Sequence, residues 1–148
     1  MLPVRGQLIV LEPAGEFPPY LVFHGTNYVI PKAGGSLLAG STQERVGFRN
    51  RVTQAGQTGI IRGTLSLLPS LAKTRMVRAV SGLRPLSADT LPILGRLPGW
   101  DNAYVAAGHG PQGIILSPIT GRIMAELITK GHTQTAIEAF DPARFEVG

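Results

Sequence analysis

Two groups of residues in this chain have types and spacings that could do chemistry. The first is Gly108-His109-Gly110-Pro111-Gln112-Gly113, which spells G-x-G-x-x-G, the pattern that holds a dinucleotide pyrophosphate at a helix N-terminus. Such a fingerprint needs a strand before it, a helix opening at its third glycine, and an acidic residue about 20 positions on that ends a second strand. Residues 103–107 can supply the first strand. Ser117 as N-cap and Pro118 at the first helical position, however, predict a later helix over residues 117–130. Glu126 then falls inside that helix, and the tail through Pro142 offers no second strand. These positions argue against a phosphate cradle, leaving a glycine loop where backbone can come close to a ligand.

The second group is Gly82-Leu83-Arg84-Pro85, with Asp89, Pro92 and Gly95 soon after. An arginine held at a strand end between glycine and proline suits bidentate capture of a planar carboxylate. A structural salt bridge, with Asp89 as a candidate partner, accounts for the same residues equally well.

Other chemistries lack their residues. With no cysteine, disulfides, thiolate metal sites and cysteine nucleophiles are excluded. His24, His109 and His132 stand singly, without H-E-x-x-H or carboxylates at ligand spacing, so no metal site is expected. No serine lies in a G-x-S-x-G elbow, and the nine acids form no obvious catalytic pair. The net charge of +5 raises the question of a polyanion partner, but Arg45, Arg49 and Arg51 form only a loose cluster, with the single aromatic Phe48 among them instead of a stacking platform. Nucleic-acid binding is therefore not expected. Apolar runs are far shorter than the roughly 20 residues of a membrane span, and the N-terminus lacks a signal-peptide stretch, so a cytoplasmic protein is expected.

The elements that must position these groups follow from punctuation by 19 glycines and 12 prolines among short apolar segments. Residues 7–12, 21–24, 27–30 and 36–41 read as strands of an antiparallel meander, with an irregular connection over 13–19. After Thr53, the residues Ile60, Ile61, Thr64, Leu65 and Leu68 form an apolar stripe at helical period, ended by Pro69. Gly56, Gly59 and Gly63 each weaken that helix by about 1 kcal/mol relative to alanine, so packing on the sheet must hold it. Residues 73–80, 91–94 and 103–107 are further strands, and Ile119, Ile123, Met124, Leu127 and Ile128 make one face of the closing helix, which stops near Gly131. Strands, helix, strands, helix is an α+β order, with a mainly antiparallel or mixed sheet and two principal helices.

Taken in sequence, these motifs resemble a family. Gly82-Leu83-Arg84-Pro85, Asp89-x-x-Pro92-x-x-Gly95, Gly108-His109-Gly110-x-x-Gly113 and Pro118-x-Thr120-Gly121 look like the C-terminal part of the D-amino-acid oxidase superfamily, near glycine oxidase and sarcosine oxidase. Pro3-Val4-Arg5-Gly6-Gln7, Tyr28-x-x-Pro31, Gly40-Ser41-Thr42 and the closing Pro142-Ala143-Arg144-Phe145 extend the resemblance over nearly the whole chain. It implies FAD and the two-electron oxidation of an amine beside a carboxylate. It further implies a substrate lobe over residues 1–80, with its helix about 53–68, and a segment 81–148 that returns to the FAD domain with a flavin-edge loop. By carry-over, Arg84 binds the substrate carboxylate, Tyr28 walls the pocket and Gln43 lines it. Gly108, His109, Gly110, Gln112, Gly113, Ile114 and Ile115 border the flavin, where amides and the helix dipole can stabilise negative charge.

Three positions depart from the family pattern. Pro111 stands where relatives can carry a second substrate-contacting arginine, Val80 replaces a frequent aromatic, and Thr90 replaces a common glycine. The family's N-terminal half, with its Rossmann-type pyrophosphate fingerprint, has no counterpart in these 148 residues. The expectation is a C-terminal fragment that is inactive alone. Two alternatives stand beside it: a half-protein completed by an N-terminal FAD-domain partner chain or by self-association, and a flavin-free module that binds small carboxylates through Arg84 and Tyr28.

Overall fold

The computed structural model describes residues 1–13 and 15–146; Ala14, within the expected 13–19 connection, and Val147 and Gly148, at the end of the expected 81–148 segment, lie outside the described residues. The chain divides into two compact units, Arg5–Leu83 and Met1–Val4 with Arg84–Gly148. The class is α+β, as the order of elements predicts.

The unit Arg5–Leu83 is built on a five-stranded sheet in the order β2-β3-β4-β1-β5. Its strands are β1 (Leu2–Glu12), β2 (Val22–His24), β3 (Asn27–Pro31), β4 (Leu37–Gly40) and β5 (Arg75–Leu86), the first and last of which run beyond the unit's limits. The expected meander is corrected in one respect: β2, β3 and β4 form it, while β1 pairs with β4 antiparallel and so lies at the opposite side from β2. Alternation of side chains along the strands sends Ile9, Leu11, Val29, Leu37 and Ala39 to one face, where they meet Ile60 of α1 (Gln54–Leu67). Each large apolar side chain buried there stabilises by about 1.5–3 kcal/mol.

Helix α1 begins as expected. The Thr53 hydroxyl accepts from the Gly56 N–H at 3.2 Å, and Pro69 opens a 3-10 turn, Pro69–Lys73, just past its end. Its glycines turn out to differ. A Cβ at Gly56 would lie 2.3 Å from the Gln7 carboxamide and one at Gly63 2.3 Å from that of Asn27, whereas one at Gly59 would meet nothing within 4 Å. Two of the three let the helix settle on polar side chains of the sheet; the third faces open space.

In the other unit, β6 (Ile93–Arg96) and β7 (Tyr104–Ala107) form an antiparallel hairpin covered by α2 (Gly113–Lys130). The start of α2 overturns the expectation of a helix over 117–130. Gly113 opens it directly after a 3-10 turn, Gly110–Gln112, and Pro118 lies inside. A proline there cannot donate to the carbonyl of Ile114 four residues earlier. The Ser117 hydroxyl donates to that same carbonyl at 2.8 Å instead, so the Ser-Pro pair repairs the helix it was expected to begin. At the far end Gly131 takes a left-handed φ of 78° and returns its N–H to Leu127, as its position near the predicted stop requires.

Candidate functional site

The end of β5 and the glycine loop are brought together within one unit. Two residues after Arg84, Leu86 bridges His109 in antiparallel fashion, and the Ser87 N–H points to the Gly108 carbonyl at 3.4 Å. The approach depends on glycine at two places. Gly108, at φ 76°, would carry a Cβ 3.2 Å from that of Ser87, and Gly110, at φ 53°, one 2.7 Å from Leu86 Cδ1. Arginine and loop are thereby held in register by backbone.

The carboxyl of Asp89, offered by the sequence as a partner for Arg84, is held instead by Arg144. Arg144 Nε donates to Oδ2 at 2.6 Å, and Nη2 donates to Oδ1 at 3.3 Å and to the carbonyls of Leu91 and Pro92 at 3.0 Å each. The guanidinium also stacks 4.3 Å over the Phe145 ring. Hydrogen bonding from Arg144 holds the Asp89 carboxyl well below the usual carboxylate range, against a smaller opposing effect of burial. This staple explains the spacing of Asp89, Pro92 and the Pro142–Phe145 tail. Gly95 belongs to it too, since a Cβ there would come 3.0 Å from the Pro142 ring. Thr90, within the stapled turn, has φ 68°, a left-handed conformation that a β-branched residue rarely adopts and that glycine adopts freely.

At the start of α2 the N-cap Gln112 makes no side-chain capping bond, and the two residues after Gly113 are strongly exposed, Ile114 at 92% and Ile115 at 74%. Opening at Gly113 meets the second fingerprint condition that the sequence reading had denied. The third condition still fails among the described residues: only 3-10 turns follow α2, and Glu126 sits within the helix accepting from the Thr133 hydroxyl at 2.5 Å. That hydrogen bond, opposed by burial and aided by nearby cations, lowers the Glu126 pKa.

Tyr28 and Gln43 belong to the unit Arg5–Leu83. Tyr28 pairs with Gly40 across β3 and β4 and, next to core-facing Val29, stands on the sheet face away from α1. Its ring crosses the strand closely, because a Cβ at Gly40 would lie 2.9 Å from the Tyr28 hydroxyl. Gln43 is exposed, on an irregular segment between β4 and α1 whose neighbours are firmly anchored. Fully buried Gln7 accepts the Thr53 N–H at 2.7 Å and donates to Glu44 at 2.6 Å. The Thr42 hydroxyl accepts the Gln7 backbone N–H at 2.9 Å and donates to Glu44 at 2.5 Å. Arg5 pairs with Glu44 and reaches the Arg49 carbonyl at 3.0 Å. Burial alone would raise the Glu44 pKa; the bonds from Arg5, Thr42 and Gln7 and the Arg5 charge outweigh it and bring it down to about 2. The sequence signal for this cluster is a pair of polar residues, Arg5 and Gln7, at core positions of a largely apolar strand.

Comparison with known proteins bears on this geometry. Residues 1–127 match the family described as FAD dependent oxidoreductase. The chain belongs to that family. It is 36% identical over 129 residues to a glycine oxidase of Pseudomonas aeruginosa, covering 87% of this chain and 35% of that protein. Against the hydrogen cyanide synthase subunit HcnC of Pseudomonas protegens it is 34% identical over 143 residues, covering 97% of this chain and 34% of the subunit. The crystal structure of the glycine oxidase from Geobacillus kaustophilus superposes with a TM-score of 0.89 at 33% identity, over 99% of this chain and 40% of that one. The chain thus spans between a third and two fifths of the length of these relatives. Among the described residues no helix is long and apolar enough to cross a membrane, and no group of three or more candidate ligands could hold a metal.

Proposed function

We propose that this chain is the substrate-lobe and flavin-edge portion of a glycine oxidase-like enzyme that oxidises a small amino acid or secondary amine, and that it is inactive alone. The observation that carries the reading is the backbone bridge from Leu86 to His109, which ties the strand end bearing Arg84 to the glycine loop and the uncapped start of α2. The loop fits a flavin edge: Gly108 and Gly110 have positive φ, its helix presents amides without a side-chain cap, and two isoleucines stand exposed beside them. FAD, when bound, would supply the two-electron oxidation of the amine. Arg84 clamps the substrate carboxylate; the family resemblance assigns Tyr28 and Gln43 to substrate contact. The amides at the start of α2 stabilise negative charge that develops at the bound ring, and Ile114 and Ile115 exclude water.

The purified chain is expected to show no stoichiometric flavin absorbance and no oxidation of glycine or sarcosine. Mixing it with FAD and the part of the Geobacillus kaustophilus glycine oxidase outside the 40% that it matches is expected to restore both. Flavin binding and turnover by the chain alone would overturn the reading of an inactive portion. Exposure of Ile114 and Ile115 favours a second reading, a natural half-protein completed by a partner chain, because apolar side chains so bare at one helix turn mark a surface that something covers. Recovery of a fingerprint-bearing partner from cells expressing the tagged chain, lost with Ile115→Asp, distinguishes this case.

A further inference from the structure

His109 ties the glycine loop to two elements, the end of β5 and α2. Its backbone bridges Leu86 at the end of β5, and its carbonyl accepts the Gln112 N–H at 3.0 Å. Its half-buried ring places Nε2 3.0 Å from Thr120 Oγ1, two turns into α2. The neighbouring glycines have no side chain to anchor the loop, and Pro111 and Gln112 face solvent. We infer that His109 is a positioning residue: the hydrogen bond between its imidazole and the Thr120 hydroxyl fixes the Arg84-bearing strand end against the start of α2. The inference goes beyond the carry-over that put His109 at the flavin edge, since its Nε2 turns back to the helix and leaves that edge to amides and to Ile114 and Ile115. Its functional meaning rests on the reading of Arg84 and the loop given under Proposed function.

An imidazole nitrogen and a hydroxyl can each donate or accept, so the bond forms with either tautomer and acts by holding the ring in place. Thr120→Val keeps the shape and removes the hydroxyl. It is expected to speed hydrogen exchange at residues 108–113 about five- to tenfold, while Thr120→Ser restores the slow exchange. Unchanged exchange in Thr120→Val, or no recovery in Thr120→Ser, would overturn the inference. In the complex reconstituted with the rest of the enzyme, Thr120→Val should lower kcat more than it raises KM for glycine. A complex that fails to form or turn over, alongside the expected exchange in the chain, refutes the proposed function and leaves the tie between loop and helix standing.

Discussion

Alanine placed in turn at Gly56, Gly59 and Gly63 separates what helix propensity dictates from what packing dictates. Propensity alone makes every one of these substitutions stabilising by about 0.5–1 kcal/mol, because alanine has less backbone freedom to lose. At Gly59 nothing lies within 4 Å of the new methyl and the residue is exposed, so the whole gain should appear. At Gly56 the methyl would enter to 2.3 Å from the Gln7 carboxamide. That group is fully buried and is tied to Glu44 at 2.6 Å and to the Thr53 N–H at 2.7 Å, so moving it breaks at least one bond to a charged or backbone partner. A bond of that kind contributes about 1.5–3 kcal/mol, which exceeds the propensity gain, and Gly56→Ala should destabilise by about 1–2 kcal/mol. At Gly63 the obstacle is the tip of a half-buried Asn27, which can rotate aside, so the change should fall between the other two. Urea unfolding followed by circular dichroism, with midpoints compared at constant slope, reads all three. Should Gly56→Ala raise the midpoint as much as Gly59→Ala, the Gln7 cluster does not hold α1 in place and the reasoning fails.

Thr90→Gly should stabilise by about 1 kcal/mol by relieving the φ of 68°, read as a higher urea midpoint; Thr90→Ala should not gain as much, since alanine bears the same left-handed strain. Glu44 is held at about 2 against an ordinary 4.5, so its contribution is complete above about pH 4.5 and disappears as pH falls through about 2. The full shift corresponds to about 3 kcal/mol, and solvent screening at a side chain 26% exposed brings it to about 1–2 kcal/mol. The stability gap between wild type and Glu44→Gln, measured by urea unfolding at pH 6, 4 and 2.5, should therefore narrow steadily on acidification. Arg144→Ala removes the staple on Asp89 and on the Leu91 and Pro92 carbonyls, and hydrogen exchange should rise at residues 88–92 and 141–145 together. Exchange rising in the tail alone would mean that the turn holds itself.

Where sequence reading succeeded and where it failed has a common physical origin. The helix after Thr53 was legible because its cap, its apolar period and Pro69 are local signals, each acting within a turn or two. The start of α2 was misread from signals just as local. Ser117-Pro118 has the composition of a helix entry, yet a serine hydroxyl can donate to a carbonyl one turn back as readily as it can accept from an amide one turn ahead. Only the fold decides between the two. Here the bridge between Leu86 and His109 fixes where the loop leaves the strand, and the helix must begin at Gly113. The same holds for the site. Arg84 and residues 108–113 could be singled out from their types, but the contact that registers them is made by backbone atoms of Leu86 and Ser87, residues without a chemical signature. Asp89 was legible as an acid in need of a cation, and its cation came from 55 residues away, at a tail arginine that the sequence presented only as part of a motif. A motif fixes which side chains are needed; which of them meet is settled by pairings of long sequence separation, and composition is silent on those.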